Sequence, residues 1–131
     1  MGTLRLLLDT HTFYWWIGGK ASLSPNAHTA IADQQNEKYI SAITIWEIVT
    51  KFRSGKEPGF GGIAADVAGA VAAQGFTELA ITSRHAEISA NLPYHHRDPT
   101  DRFLIAQAIV DDMTIVTADG SFGSYAARLL W

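Results

Sequence analysis

Leu4-Arg5-Leu6-Leu7-Leu8-Asp9-Thr10-His11 decides the fold. Four of its first five residues are leucine, a run too short to cross a membrane and nearly continuous rather than alternating. That is the pattern of a strand covered on both faces of a parallel sheet. An acid, Asp9, stands where the strand runs out. In open parallel sheets the crevice beyond the carboxyl ends of the strands is where ligands bind, so a carboxylate there is placed to do chemistry. The plainer alternative is that Asp9 caps the following helix, for which Asp is a favoured residue. The choice depends on whether other acids reach the same edge.

Downstream, apolar strands alternate with helical patterns, which argues for an α/β fold with a mainly parallel sheet. Thr10 to Ile17 reads as a short helix ended by Gly18-Gly19, and it carries Phe13, Tyr14, Trp15 and Trp16. Such a run packs under the sheet, or leaves an apolar patch for a protein partner. Ser24-Pro25 opens a helix to about Gln34, and Tyr39 to Ser41 is a second strand. A third helix, beginning at Ser41 or Thr44, runs to about Arg53 and contains Glu47. Lys56 to Gly62 reads as a loop, Ile63 to Gln74 as one alanine-rich helix and Phe76 to Ile81 as a third strand. Thr82 caps a helix that extends to about Asn91.

The strongest helix signal is Asp98-Pro99-Thr100-Asp101, with a capping acid, proline at the first helical position and an acid in the first turn. Phe103, Leu104, Ile105, Ala106, Ala108, Ile109 and Val110 surround almost the whole circumference of that helix, so it should be buried. Met113 to Thr117 is a fourth strand, Ala118-Asp119-Gly120 a turn at its carboxyl end, and Arg128 to Trp131 a last strand.

Length and composition narrow the function. The 131 residues fit one domain, with 47% hydrophobic and 18% charged residues. Thirteen acidic residues against 10 basic give a net charge of −3, so no broad cationic surface announces a nucleic-acid partner. Any such role must come from a local site. The absence of cysteine excludes disulfides and thiolate metal sites. With only a few apolar residues before Asp9, neither a signal peptide nor a membrane span is expected, and the reading is cytoplasmic.

Asp9 and Asp119 directly follow apolar strands, Asp101 lies in the first turn of a buried helix, and Glu47 sits early in another. Four anions at one sheet edge repel one another unless cations hold them. Oxygen ligands without cysteine, and without a histidine pair at ligand spacing, suit hard ions such as Mg²⁺ or Mn²⁺. These ions support phosphodiester hydrolysis and let an acidic protein hold RNA. Each acid also has a structural alternative: a capping box Thr44 to Glu47, a helix-terminus charge for Asp98 and Asp101, and a turn residue for Asp119. Arg97 and Arg102 flank the acids, where they would counter charge or touch a phosphate. His95 and His96 read as loop histidines without ligand spacing, and His11 is ambiguous.

"LLLDTHTFYWW" (Leu6 to Trp16), "SAITIWEI" (Ser41 to Ile48), "HHRDPTDRFLIAQA" (His95 to Ala108) and "IVTADGSF" (Ile115 to Phe122) together resemble a PIN-domain ribonuclease toxin of the VapC type, over nearly the full length. The resemblance implies a single three-layer α/β/α domain over residues 1–131 and a Mg²⁺- or Mn²⁺-dependent endoribonuclease. Carried over by position, Asp9, Glu47, Asp101 and Asp119 match the catalytic, metal-binding acids, and Thr117 a hydroxyl that orients the site. Asp98 matches an acid common in the subgroup, with Arg102 as a further supporting residue. The resemblance also implies a homodimer and a cognate antitoxin whose tail covers the groove. Phe13, Trp15 and Trp16 are the candidate antitoxin contacts. A phospho-receiver would need an acid pair after the first strand and a late lysine, yet Thr10 follows Asp9 and no lysine follows Lys56. A haloacid-dehalogenase-like phosphatase would need an acid where His11 stands. A PIN-like module that only binds a partner or RNA is the remaining alternative.

Overall fold

The computed structural model describes residues 3–95 and 98–131. Five strands, β1 (Arg5–Leu8), β2 (Glu37–Ser41), β3 (Thr77–Leu79), β4 (Thr114–Val116) and β5 (Arg128–Leu130), form one sheet in the order β3-β2-β1-β4-β5. Every pairing is parallel, including β5 on β4, so the sheet is wholly rather than mainly parallel.

The leucines of β1 divide by the two-residue period of a strand. Leu6 and Leu8 enter a core built mainly from α1 (Thr10–Gly18), α2 (Pro25–Ala32), α3 (Ala42–Arg53), α4 (Gly61–Ala64) and α5 (Val67–Ala73). Leu7 enters a second core with Leu104, Ile105 and Ala108 of α7 (Pro99–Asp111), against which α6 (Ser83–Asn91) packs. All three leucines are wholly buried, each contributing about 1.5–3 kcal/mol. This is a three-layer α/β/α arrangement with one core on each face of the sheet.

The chain runs outward from β1 through β2 to β3, then returns to the other side of β1 as β4 and β5. Strand order therefore reverses between β1 and β4, and the crevice of such a sheet opens at that point. Asp9 follows β1 there, and Thr117 to Asp119 follow β4. The Asp9 amide donates to the Val116 carbonyl (3.2 Å), and the Thr12 hydroxyl donates to the same oxygen (2.9 Å).

Several local expectations change. The Ile63 to Gln74 helix is broken at Ala65-Asp66, where the Asp66 carboxylate caps α5 by accepting from the Gly69 amide (2.9 Å). A capping acid outweighs an alanine run that contains no other boundary signal. The Lys56 to Gly62 loop contains a 3₁₀ turn, Pro58–Phe60, anchored by the buried Phe60. β2 starts two residues earlier than Tyr39, β3 is shorter than Phe76 to Ile81, and α2 stops at Ala32. Helix α7 is buried along most of its length, though Ile109 is 38% exposed.

Candidate active site

The acids that follow the strands are tied together by one hydroxyl. Asp9 Oδ1 accepts from the Thr12 amide (2.9 Å), capping α1, while its Oδ2 accepts from Thr117 Oγ1 (2.5 Å). The same Thr117 oxygen accepts from the Asp119 amide (3.0 Å). Thr117, 3% exposed, thereby fixes both acids relative to the sheet. Asp9 caps a helix and faces the crevice at once, so its two sequence readings are compatible. Asp119 Oδ1 accepts from the Ser121 amide (2.9 Å) and hydroxyl (2.7 Å), which holds the turn after β4.

Glu47 comes from the other side of the crevice. Helix α3 starts at Ala42, capped by Ser41, whose hydroxyl accepts from the Ile43 amide (3.1 Å). That cap removes the Thr44 to Glu47 capping box, because Glu47 lies in the second turn. Its carboxylate is 5% exposed: the Thr10 hydroxyl donates to Oε1, and Lys51 Nζ lies 2.7 Å from Oε2. Thr10 and Lys51 were not singled out from the sequence. Their signals were the position next to Asp9 and the i,i+4 spacing from Glu47.

Helix α7 supplies the remaining acids. Asp98 caps it by accepting from the Thr100 amide (2.9 Å), and Asp101 lies three residues on, a spacing that puts both on one side of the helix. Asp9, Glu47, Asp98, Asp101 and Asp119 all line one cavity of 440 Å³, together with Thr10, His11, Trp15, Lys51, Ala118 and Phe122. Burial, then the charges of Asp98, Glu47, Asp9 and Asp119, push the Asp101 carboxyl up to about 8. Burial disfavours the Lys51 ammonium, but the hydrogen bond and charge of Glu47, with Asp98 and Asp101, outweigh it and raise its pKa.

This donor set fits a hard divalent cation. All five acids present oxygen, and the raised Asp101 pKa reports crowded negative charge that a cation would relieve. Among the described residues, no group of three or more carboxylates or histidines stands close enough together to hold a metal ion as placed. Mg²⁺ needs none, since it commonly takes one or two carboxylates and keeps several waters.

Other candidates are placed differently. Arg102 directs its guanidinium to the carbonyls at the end of α6. It is 6% exposed, and its guanidinium donates to the carbonyls of Ser89 (2.8 Å), Leu92 (2.8 Å) and Pro93 (3.0 Å) beneath the Tyr94 ring. It ties the end of α6 to the chain leading into α7. Phe13 is wholly buried against Phe76 and offers no surface to a partner, because the sheet and its helices cover it. Trp15 is half-buried at the cavity, tilted against Trp131, and Trp16 packs on Phe76 and His28 while donating to Gln74 (2.9 Å). His11 lines the cavity with Nε2 3.7 Å from Glu57, whereas His95 packs edge-on against Tyr125. His96 and Arg97 lie outside the described residues.

Comparisons with known proteins agree with this architecture. Residues 6–128 match the sequence profile of the PIN domain. Similar solved structures include a VapBC2 complex of Rickettsia felis bound to a DNA fragment from its promoter (TM-score 0.70, 16% identity, 98% of this chain and 99% of that one). A toxin–antitoxin complex from Klebsiella pneumoniae (0.62, 16%, 96% of each chain) is also similar. So is a sarcin–ricin-loop-cleaving VapC toxin of Mycobacterium tuberculosis (0.64, 14%, 93% and 95%). A search of curated protein sequences finds no match.

Proposed function

This chain belongs to the PIN-domain family, and we propose that within it the protein is a Mg²⁺- or Mn²⁺-dependent endoribonuclease, the toxin of a toxin–antitoxin pair. The observation that carries the reading is the convergence of Asp9, Glu47, Asp98, Asp101 and Asp119 on one cavity at the point where strand order reverses. The toxin–antitoxin complexes among the similar structures support the choice of class.

Asp9, Glu47, Asp101 and Asp119 would hold the cation. When bound, it supplies charge to neutralise the phosphodiester and acidifies water for attack on phosphorus. The chain's own groups supply position. Thr117 holds the Asp9 carboxylate in one rotamer and the Asp119 backbone beside it. Thr10 does the same for one oxygen of Glu47, and Lys51 holds the other. Supporting hydrogen bonds of this kind typically contribute 10–100-fold to metal affinity or activity. Asp101, half-buried and crowded by the other acids, holds its proton at neutral pH in the absence of a cation.

The same cavity suits inhibition. A basic side chain on an antitoxin tail, entering among the acids, would occupy the cation's place. Trp15 at the cavity wall and the half-buried Trp16 next to it in the chain would be the aromatic contacts for that partner, and the working toxin would be a homodimer. Among the described residues no helix is long and apolar enough to cross a membrane.

The test is cleavage of total cellular RNA by purified, antitoxin-free protein with Mg²⁺, Mn²⁺ or EDTA, alongside Asp9→Ala. Discrete, metal-dependent products absent from the variant support the reading. No cleavage by folded protein under any of these conditions counts against it and favours a binding-only PIN module.

A further inference from the structure

A second cavity, of 360 Å³, adjoins the first along α3 and shares Glu47, Lys51 and Asp98 with it. Its character is different. The carboxylate cavity gathers five acids, whereas this cleft adds Lys56 and the indole of Trp46 to the shared wall. Trp46 is 58% exposed, while the other three tryptophans are partly buried against the core. It lines this cleft together with Glu47, Lys51 and Asp98, the three residues that also line the carboxylate cavity. Of the two shared acids, Glu47 is ion-paired by Lys51 and Asp98 accepts from the Thr100 amide.

A flat exposed aromatic flanked by ammonium groups is the combination that binds single-stranded nucleic acid. The ring stacks on any base and the lysines meet phosphate. The cleft volume lies within the ~300–1,000 Å³ of small-ligand sites. Phosphate approaching the carboxylate cavity is repelled except where a cation sits, so the chain beyond the scissile bond needs a less negative wall. The cleft offsets its two acids with two lysines, Lys51 at the junction and Lys56 beyond it, so it repels phosphate far less than the five-acid cavity does. We infer that this cleft seats the nucleotide next to the scissile phosphate, its base stacked on Trp46 and its phosphate held by Lys51 and Lys56. The inference rests on the nuclease reading and names where its substrate lies.

The test is binding of a fluorescein-labelled single-stranded oligoribonucleotide of mixed sequence, followed by anisotropy across a salt series with Ca²⁺ replacing Mg²⁺. The proteins compared are wild type, Trp46→Ala, Trp46→Phe and Lys56→Gln, with Mn²⁺ binding measured for each. Trp46→Ala should weaken RNA binding about tenfold at unchanged salt slope, and Trp46→Phe should restore most of it. Lys56→Gln should lower the slope by about 0.7, the value of one single-strand phosphate contact. Mn²⁺ affinity should stay the same throughout, which separates a substrate contact from damage to the acids. Equal RNA affinity and slope in all four proteins would overturn the subsite. So would loss of Mn²⁺ affinity in step with loss of RNA binding. Failure of wild type to bind the oligomer while it still cleaves cellular RNA overturns the subsite alone. Failure to bind and to cleave removes the nuclease reading as well.

Discussion

The two edges of the one sheet treat charge in opposite ways. Where the strands begin, polar groups are satisfied pairwise: His85 bonds Asp111 at 2.8 Å, Arg128 meets Asp112 at 2.5 Å, and Arg5 donates to the Asp111 carbonyl while lying over Tyr39. Where the strands end, five acids share a cavity in which Lys51 is ion-paired to one of them, and a carboxyl is driven far above its ordinary range. The first edge has the composition expected of a region that serves stability. The second gathers like charge at a cost to stability, as sites shaped for a ligand do. Acidic residues on this chain therefore mean different things according to the end of the strand they follow.

The largest expected effect lies at the carboxylate edge. Asp9→Ala or Asp101→Ala should lower metal-dependent RNA cleavage by more than the ~10–100-fold typical of residues that only support a ligand, with circular dichroism unchanged. Cleavage retained in both would erase the distinction between the edges. Next is Thr117→Ala, which removes the hydroxyl joining Asp9 to the Asp119 amide. Kinetics and Mn²⁺ titration should both show a loss of about 10–100-fold, and Thr117→Ser should recover most of it.

A pH effect sharpens the contrast. Asp101 binds its proton more tightly folded than unfolded, so in EDTA the native state gains stability as pH falls from about 8 towards 4 and loses it as pH rises through that window. The slope is at most about 1.4 kcal/mol per pH unit, the limit for one proton. Denaturant melts should show this trend, Asp101→Asn should flatten it, and Mg²⁺ should stabilise most at the alkaline end.

At the opposite edge the signs reverse: stability changes and chemistry does not. His85, 2% exposed, accepts from the Thr82 amide (3.0 Å) and bonds Asp111. His85→Ala should therefore cost about 2 kcal/mol in urea melts with cleavage unaltered. Arg128→Ala breaks a pair whose side chains are 63% and 81% exposed, and should change stability by less than about 0.5 kcal/mol.

Much of this organisation is legible in the sequence where local chemistry and the global fold agree. The leucines of β1 and Asp98-Pro99 opening α7 carry clear local signals, and Asp9, ambiguous alone between cap and site, gains meaning from the other acids; together they locate the sheet and its crevice. Less legible are groups whose role depends on how elements face each other. Lys51 reads as an ordinary surface lysine until α3 is known to start at Ala42, which turns Glu47 inward with Lys51 one turn beyond. Arg102 follows Asp101 in the chain, yet successive helical residues do not share a face, and its guanidinium reaches the carbonyls at the end of α6. Phe13 was grouped with Trp15 and Trp16 by composition, although the 3.6-residue period places only part of such a run outward. The break at Asp66 was hidden because alanine favours helix throughout, leaving one capping side chain to mark the boundary.

The most direct test of the central claim, that the carboxylate edge is a divalent-metal site and the other is not, is calorimetric titration of Mn²⁺ into wild type, Asp101→Asn and Asp111→Asn at neutral pH. Binding in wild type and Asp111→Asn, with its loss in Asp101→Asn, is the predicted result. No binding to folded wild type, or binding that Asp101→Asn leaves intact, would contradict it.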